Sequence, residues 1–169
     1  MLKYIIMVFI KVSTETQVLI IESLAREIWA EHYSRIIGNE QVNYMLDRFQ
    51  SKKAVLEQIR SGVLYFLMEM DSENIGYLAI QPKRDELFLS KFYVKASHRY
   101  KGYGKEAVQF VEKLARERDL RTIVLTVNKN NVSAIKAYQK FGFRTVGSLV
   151  QDIGSGFVMD DFKMEKSIC

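Results

Sequence analysis

The sequence predicts a mixed α+β fold of three layers, in which a mostly antiparallel sheet is flanked by helices. Three observations support this prediction. An apolar run near the start is followed by helical patterns, strand-forming segments separated by turns fill the middle, and the last third alternates between helix and strand patterns. No repeat, linker or low-complexity tract interrupts the 169 residues. We therefore expect one domain covering residues 1–169.

The first third of the chain predicts one strand followed by helices. The apolar run Tyr4–Val12 is short and lacks a small-residue cleavage site, so it favours a buried strand over a signal peptide. Thr14 to Gln17 has the form of a capping box. The apolar spacing that follows predicts a helix over about 15–33, carried by Val18, Ile21, Ala25, Ile28 and His32.

Two further helices are expected before residue 63. Gly38 and Asn39 interrupt the chain, and a second helical pattern then begins, with Val42, Met45, Leu46 and Phe49 on one side. Ser51 is typical of an N-cap, and it precedes a third, short helix that should end at Gly62.

The middle of the chain predicts neighbouring antiparallel strands. Val63–Met70 and Ile75–Gln81 are rich in strand-forming residues, and the turn residues between them indicate a hairpin. Pro82–Asp85 makes another turn, and Leu87–Val94 is the third strand of this group.

The last third predicts a loop, a helix, a strand, a second helix and two strands. The first of these helices carries Val108, Val111, Leu114 and Ala115 on its apolar side. The remaining predicted elements are a strand at Thr122–Val127, a helix at Asn131–Phe141, and strands at Phe143–Ser148 and Phe157–Met164.

Composition narrows the classes of function. The formal net charge of +5 allows an anionic partner, but the basic residues are dispersed among acidic ones, so we expect no specific nucleic-acid binding. Cys169 is the single cysteine, which rules out an intrachain disulfide and a Cys/His metal site. We therefore expect no metal and a reducing, cytoplasmic location. No stretch is long and apolar enough to predict a membrane span.

A glycine-containing loop is the clearest candidate binding element. Arg99-Tyr100-Lys101-Gly102-Tyr103-Gly104-Lys105 falls between a predicted strand and a predicted helix, where free backbone N–H groups and the helix dipole attract anions. Its glycines allow the backbone to approach a phosphate closely. Taken alone, the segment is equally typical of an ordinary turn with solvated lysines.

Two well-known phosphate motifs do not fit this loop. A dinucleotide-binding fingerprint needs an acidic residue about 20 positions on, where Val127 and Asn128 stand. A P-loop needs a different glycine spacing and a Ser or Thr where Glu106 stands.

The loop instead resembles the R/Q-x-x-G-x-G/A coenzyme A motif of the GNAT acetyltransferases, which Arg99-x-x-Gly102-x-Gly104 matches fully. A second segment, Asn131-x-x-Ala134-Ile135-x-x-Tyr138-x-x-x-Gly142-Phe143, is similar to the family's next conserved segment at the expected separation. The resemblance is clearest from about Leu87 to Ser148, and the rest of the chain suits PaiA-like members that acetylate polyamines. It implies an acetyl-CoA-dependent N-acetyltransferase of the GNAT fold.

The resemblance also implies roles for particular residues. Main-chain groups of Phe92-Tyr93-Val94 would bind the pantetheine arm, and residues 99–105 would bind the pyrophosphate together with Asn131. Tyr138 would donate a proton to the departing thiolate. Its helical spacing alone favours a core tyrosine, and only the motif favours the catalytic role. Asn131 is also an N-cap by its local sequence.

No general base is assigned, because the strand in which many members carry a glutamate has no carboxylate in its interior. Alternation places Glu86, Phe88, Ser90 and Phe92 on one face, so Ser90 could orient a water while Glu86 or Glu69 accepts the proton. The missing carboxylate keeps open a second hypothesis, namely a catalytically inactive module that binds coenzyme A.

The acceptor should be a small amine, a polyamine or a peptide amine. Its site would be built from the first helices and the last strands, with Trp29, His32, Tyr33 and Tyr44 as candidate walls. Those residues are equally typical of a core boundary. Glu27, Glu31 and Asp47 could attract a cation, although surface carboxylates are common. A homodimer is compatible with such a chain.

Overall fold

The computed structural model describes residues 6–168, so Tyr4 and Ile5 of the predicted first strand and Cys169 lie outside the described residues. In chain order the strands and α-helices are β1 (Met7–Lys11), α1 (Glu15–His32), α2 (Ser34–Ile37), α3 (Asn39–Met45), α4 (Lys52–Arg60), β2 (Leu64–Met70), β3 (Glu73–Pro82), β4 (Leu87–Val94), α5 (Tyr103–Arg116), β5 (Thr122–Asn128), α6 (Val132–Lys140), β6 (Arg144–Gly154) and β7 (Phe157–Ser167). A π-helix at Leu46–Gln50 separates α3 from α4, and a 3₁₀ turn at Ala96–His98 follows β4.

The seven strands form a mixed sheet with the order β1-β2-β3-β4-β5-β7-β6. The ladders β1–β2, β2–β3, β5–β7 and β6–β7 are antiparallel, whereas β4 and β5 run parallel. The predicted fold class, a mostly antiparallel sheet with flanking helices, is confirmed. No helix among residues 6–168 is long and apolar enough to cross a membrane.

The chain divides into two compact units. The first comprises the chain up to Ile80 together with Lys91–Tyr103, and the second comprises Gln81–Ser90 and the chain from Gly104 onward. Strand β4 contributes residues to both units. The single domain expected over residues 1–169 stays a prediction.

The first unit begins with the strand and helix that the sequence predicts. Thr14 caps α1, and the side chains of Thr14 and Gln17 each accept a hydrogen bond from the other's backbone, as a capping box requires. Strand β1 is less buried than expected, because it lies at a sheet edge and leaves Val8 47% exposed.

The helical region after α1 is more irregular than the apolar pattern of its sequence predicts. The short α2 was not predicted, and the second predicted helix is α3 continued by the π-helix at Leu46–Gln50. Ser51 then caps α4 by accepting a hydrogen bond from the backbone N–H of Ala54, as expected. The β2–β3 hairpin turns at Asp71 and Ser72, which both adopt positive φ angles.

Large side chains form the core of the first unit. Those that are almost completely buried are Ile21, Ile28, Tyr65, Met68, Ile75, Tyr77, Leu78 and Ile80. Burying one such apolar side chain stabilises a fold by about 1.5–3 kcal/mol.

The second unit packs an amphipathic helix with a hairpin. All four residues predicted to form the apolar side of α5 are buried. Strand β5 pairs along its whole length with the carboxyl-terminal part of β7. Lys166 on β7 contacts both Glu112 of α5 and the main-chain oxygen of Phe141. The two last strands are longer than predicted, since β6 and β7 pair in a hairpin from Arg144 with Glu165 to Gly154 with Phe157.

Candidate active site

The loop from Arg99 to Lys105 joins β4 to α5 and is held by its own first residue. The side-chain Nε of Arg99 donates a hydrogen bond to the main-chain oxygen of Val94 at 2.9 Å, which closes the turn after β4. Tyr100 and Gly102 then take positive φ angles of 62° and 88°. Because L residues adopt this region at a cost, the turn favours glycine at position 102.

The same loop leaves room for an anion at the start of α5. A Cβ atom built on Gly102 meets no heavy atom within 4 Å, and Lys101 and Lys105 are exposed. Helix α5 begins at Tyr103, so the first-turn N–H groups, which lack partners within a helix, lie next to this space. Backbone donors, a helix dipole and two lysines are therefore combined where the sequence predicted a phosphate site.

The carboxyl-terminal half of β4 carries the predicted pantetheine contacts. Phe92, Tyr93 and Val94 are half-buried. The ladder from β4 to β5 is confined to Leu87 with Ile123 and Phe88 with Val124, so residues 89–94 lie beyond it. On the β3 side the backbones are very close, because a Cβ on Gly76 would stand 2.3 Å from the main-chain oxygen of Tyr93.

Two of the predicted acceptor residues come together with Tyr93. The rings of Trp29 and Tyr33 stack with centroids 4.5 Å apart, and Tyr93 meets them edge-on at 5.5 and 6.0 Å. His32 contacts Tyr33 edge-on at 4.9 Å, and Tyr77 lies 5.4 Å from Tyr93. Trp29 is only 3% exposed, whereas Tyr33 is half-buried, so Tyr33 and Tyr93 offer the more accessible surface of this aromatic cluster.

The other candidates for the acceptor site are less clearly grouped. Ser90 is half-buried on β4, and Tyr44 lies under the guanidinium of Arg48 at 5.8 Å. Glu27 pairs with Lys95 and Asp47 pairs with Arg26, both at the surface. These ion pairs favour the interpretation of Glu27 and Asp47 as ordinary helix charges.

Asn131 is placed at the start of α6 but does not cap it as expected. Its main-chain oxygen accepts from Ile135, which makes it the N-cap residue, yet its side chain makes no capping hydrogen bond. The side-chain oxygen of Asn131 accepts instead from the hydroxyl of Ser133 at 3.4 Å. Because Asn131 is 3% exposed, its amide is held inside the protein near the β5–α6 turn. The predicted coenzyme contact stays a prediction.

Tyr138 lies half-buried on α6, with its ring edge-on to Phe143 at 5.6 Å. The main-chain oxygen of Tyr138 also accepts from the N–H of Phe143. Its proposed role as proton donor stays a prediction, since the ring both packs and remains partly accessible.

Lys91 is a buried residue to which the sequence assigned no functional role. Its side chain, on β4, is 8% exposed, and Nζ donates to the main-chain oxygen of Phe49 at 2.5 Å, to Oε1 of Gln58 at 2.9 Å and to the hydroxyl of Tyr65 at 2.5 Å. Burial lowers the pKa of Lys91 from 10.5 to about 7. These three acceptors match the three N–H bonds of an ammonium group.

Asp161 is a second buried residue to which the sequence assigned no functional role. It is 5% exposed on β7, where it pairs with Asn128 of β5 and Leu149 of β6. Burial, and then the neighbouring charge of Asp160, raise the pKa of Asp161 from 3.8 to about 6, while Lys129 lowers it. Raised pKa values of this kind often mark functional sites.

A weak signal for Lys91 was present in the sequence. Leu87, Leu89 and Lys91 alternate along β4 and all three are buried, so strand periodicity alone places the lysine on the inner face. Asp161 had no comparable signal, because its strand mixes charged and apolar residues on both faces.

Within residues 6–168, no group of three or more His, Asp or Glu side chains is arranged to hold a metal ion.

Residues 22–143 match the model of the Acetyltransferase (GNAT) family, which covers well over half of the chain and includes both motifs. The chain belongs to the GNAT acetyltransferase family. Among curated GNAT relatives, a spermidine N(1)-acetyltransferase of Thermoplasma acidophilum is 27% identical over 156 residues, covering 89% of this chain and 93% of the relative. A spermine/spermidine N(1)-acetyltransferase of Bacillus subtilis (strain 168) is 27% identical over 124 residues, covering 67% and 79%.

Solved structures share the GNAT fold. The crystal structure of the PaiA N-acetyltransferase from Thermoplasma acidophilum in complex with coenzyme A has a TM-score of 0.80 and 24% identity, and covers 96% of this chain and 99% of that one. The ribosomal-protein-S18-alanine N-acetyltransferase from Escherichia coli has a TM-score of 0.72 and 17% identity, and covers 96% and 94%. The predicted family and fold are thus confirmed.

Proposed function

We propose that this GNAT family member transfers an acetyl group from acetyl-CoA to a primary amine, with polyamines as the first class to test. The observation that carries the proposal is the loop at the start of α5, where two positive φ angles, an open space beside Gly102 and two exposed lysines occur within the family's motif. The curated relatives named as spermidine and spermine acetyltransferases support the choice of acceptor.

The residues of this chain fit the binding of coenzyme A. Backbone N–H groups from Gly102 to Lys105 would donate to the pyrophosphate, and Lys101 and Lys105 would add attraction at its rim. Arg99 would act mainly by holding the loop, because its Nε is bonded to the end of β4. Main-chain groups of Phe92–Val94 would bind the pantetheine arm. Acetyl-CoA supplies the acetyl thioester.

We propose that the amine attacks directly, within a complex that holds both substrates. Tyr138 then gives its phenolic proton to the departing thiolate. A phenol with a pKa near 10 protonates a thiol with a pKa near 8.5 efficiently only when it is positioned closely. Its packing against Phe143 supports such positioning.

The aromatic cluster of Trp29, Tyr33 and Tyr93 is the proposed wall of the acceptor site. Ring faces attract ammonium groups, and a polyamine carries several of these. The half-buried rings of Tyr33 and Tyr93 are the accessible members.

The rival function is a module that binds coenzyme A without catalysis. One observation favours it: the buried face of β4 carries Lys91, whose bonds to three acceptors resemble a structural role, and no carboxylate. The two functions differ in one measurement, which is the release of free thiol from acetyl-CoA in the presence of an amine.

The test combines calorimetry with a thiol-release assay. We expect CoA to bind with a stoichiometry of one and NADH not to bind, and we expect spermidine or spermine to accelerate thiol release. The amine panel should also contain amino-acid amides and peptides with free amino termini. Binding without release for every amine would favour the inactive module, and binding of NADH but not CoA would overturn the proposal.

Two further proposals concern location and partners. The single cysteine supports a reducing, cytoplasmic location. The dispersed basic residues support the absence of specific nucleic-acid binding, so a gel-shift assay at moderate salt should show no complex that survives competitor.

We also propose a homodimer formed through β6. This strand ends the sheet order and exposes Val146, Leu149 and Val150, the last by 66%. Its first residue, Arg144, is basic and Asp152 near its end is acidic, so antiparallel pairing with a second copy of β6 sets opposite charges together. Sedimentation should show a dimer that Val150→Lys weakens. The same change at Leu19, exposed on α1, should not weaken it, and a monomeric wild type would contradict the proposal.

A further inference from the structure

The end of α6 is held to α5 by Lys166, a lysine on β7. Its Nζ donates a hydrogen bond to the main-chain oxygen of Phe141 at 2.6 Å and lies 2.5 Å from Oε1 of Glu112 on α5. Phe141 directly follows α6, at the helix end where main-chain oxygens have no partner within the helix. All three residues belong to the second unit. Lys166 therefore joins β7, α5 and α6 within that unit.

The contacts of Lys166 are well enclosed. Its side chain is 22% exposed and that of Glu112 is 13% exposed, so solvent screens their attraction less than it screens a surface pair. Hydrogen bonds from a charged donor are also stronger than those between neutral groups. Arg116 is a weaker partner of Glu112, because it lies 3.4 Å away with its side chain 52% exposed. The contacts of Lys166 are thus the ones suited to fixing the helix end.

Gly142 leaves room for this lysine. The glycine follows Phe141 with a φ angle of 92°, which side chains other than glycine rarely allow. A Cβ atom built on Gly142 would stand 3.3 Å from Cε and 3.4 Å from Nζ of Lys166. The absence of a side chain at position 142 therefore lets the chain turn after α6 and lets the lysine reach the main-chain oxygen of Phe141.

The turn that Lys166 holds also carries Tyr138. Tyr138 precedes Phe141 by about one helical turn. Its main-chain oxygen accepts a hydrogen bond from the N–H of Phe143 at 3.0 Å, and its ring lies edge-on to the ring of Phe143 at 5.6 Å. Phe143 is buried. A shift of the helix end would therefore move the ring of Tyr138 as well.

We propose that Lys166 is a positioning residue, which fixes the end of α6 against α5 and β7 and so holds the ring of Tyr138 in place for proton transfer. The role of Tyr138 is part of the proposed function, on which this inference rests. Lys166 exchanges no proton itself and acts through Tyr138. Because proton transfer needs a closely placed donor, a displacement of about 1 Å lowers a rate by up to roughly 10²-fold.

The decisive variant is Lys166→Met, which keeps an unbranched side chain and removes the charge and the donors. Its matched control is Lys163→Met, because Lys163 is an exposed lysine on the same strand. We expect Lys166→Met to lower kcat for the most active amine roughly 10- to 100-fold, with the KM of the amine and the affinity for CoA nearly unchanged. Lys163→Met should leave kcat close to that of wild type. Lys166→Arg keeps a charged donor, so it should recover part of the lost rate.

A double-mutant cycle separates a positioning role from a purely structural one. If Lys166 acts through Tyr138, Tyr138→Phe should lower kcat much less in the Lys166→Met background than in the wild type, since the ring is already displaced. We expect the factor to shrink at least about tenfold. If Lys166 only stabilises the fold, the effects of the two substitutions multiply, and that result would overturn the proposal.

Amide hydrogen exchange gives a readout that needs no activity. The N–H groups of Phe141 and Phe143 bond to main-chain oxygens of α6, so the loss of Lys166 should speed their exchange roughly tenfold or more. Val111, in the middle of α5, should keep its exchange rate in Lys166→Met. Unchanged exchange at Phe141 and Phe143 would also overturn the proposal.

Two further outcomes are distinguished by the same measurements. If no amine releases thiol with the wild type, the proposed function fails, and the exchange rates still decide whether Lys166 holds the end of α6. If Lys166→Met does not fold, Glu112→Gln takes its place in the cycle and in the exchange measurement, because it removes the charge that Lys166 meets on α5. Effects that multiply in that second cycle would overturn the proposal, and a reduced effect of Tyr138→Phe would support it.

Discussion

The two buried ionisable side chains, Lys91 in the first unit and Asp161 in the second, are satisfied in opposite ways. Lys91 donates to three acceptors from three different elements, including the main-chain oxygen of Phe49 in the π-helix. Asp161 is similarly little exposed, but its carboxylate oxygens are not among the enclosed polar atoms without partners, and its pKa is set by burial, by Asp160 and by Lys129. A buried charge that is fully hydrogen-bonded holds a fold in one arrangement, whereas the ionisation of a carboxylate that keeps contact with solvent is governed by the charges around it.

The largest expected effect concerns Tyr138, a third ionisable residue, which lies in the second unit together with Asp161. Tyr138→Phe should lower kcat roughly 10²- to 10⁴-fold, because the proton donor is removed, and should leave CoA affinity nearly unchanged. If its hydroxyl is only structural, the same change should lower stability by about 1 kcal/mol and leave kcat within a few-fold. Melting temperature and kcat measured on one preparation distinguish the two outcomes.

The next largest effect tests whether the hydrogen bonds of Lys91 stabilise the fold. Lys91→Met keeps the length of the side chain but removes three hydrogen bonds, so we expect a loss of about 2 kcal/mol in the free energy of unfolding. Urea denaturation measures this loss. Lys53→Met, an exposed change on α4, should stay within about 0.5 kcal/mol of wild type. An equal effect of the two substitutions would remove the structural role of Lys91.

The pH dependence of stability should have opposite signs for the two residues. Between pH 3.8 and about 6 the native state binds more protons at Asp161 than the unfolded state does, so stability present below that window is lost as pH rises. Between about pH 7 and 10.5 the unfolded state binds more protons at Lys91, so stability rises with pH. Each slope is at most about 1.4 kcal/mol per pH unit.

Denaturation series across pH check these slopes. Asp161→Asn should flatten the acidic slope only, and Lys91→Met should flatten the alkaline slope only. A variant that flattens both slopes would show that the titrations of Asp161 and Lys91 are coupled, and would contradict the expectation that the two residues act independently.

Local sequence signals predicted the regular elements well. The capping box at Thr14, the N-cap at Ser51 and the hairpin turn at Asp71 all lie where the pattern placed them, because each depends on residues within four positions. The break at Gly38 was also predicted, and its φ angle of 82° explains the choice of glycine there.

The sequence could not predict the features that depend on distant contacts. The π-helix has no local signal, and Gln50 within it accepts a hydrogen bond from Tyr77, 27 residues away. The partners of Lys91 lie 26, 33 and 42 residues away. Asp161 is buried by tertiary packing in a strand whose composition favours exposure. The motifs of the coenzyme loop and α6 indicated a family, because each depends on residues close together in the sequence.

The smallest expected effect concerns Tyr65, one of the three hydrogen-bond acceptors of Lys91. The hydroxyl of Tyr65 accepts from Lys91 and donates to Gln58 at 2.6 Å, so Tyr65→Phe removes two hydrogen bonds and keeps the buried ring. Since Gln58 still bonds both Lys91 and the main-chain oxygen of Phe49, the remaining partners limit the loss to about 1 kcal/mol. The loss of an acceptor should also lower the pKa of Lys91 further, which extends the alkaline slope below pH 7. Urea denaturation at pH 6 and pH 9 measures both effects. If Tyr65→Phe were as stable as wild type at both values, the hydrogen bonds of Lys91 would contribute nothing measurable, and its burial would be no better satisfied than that of Asp161.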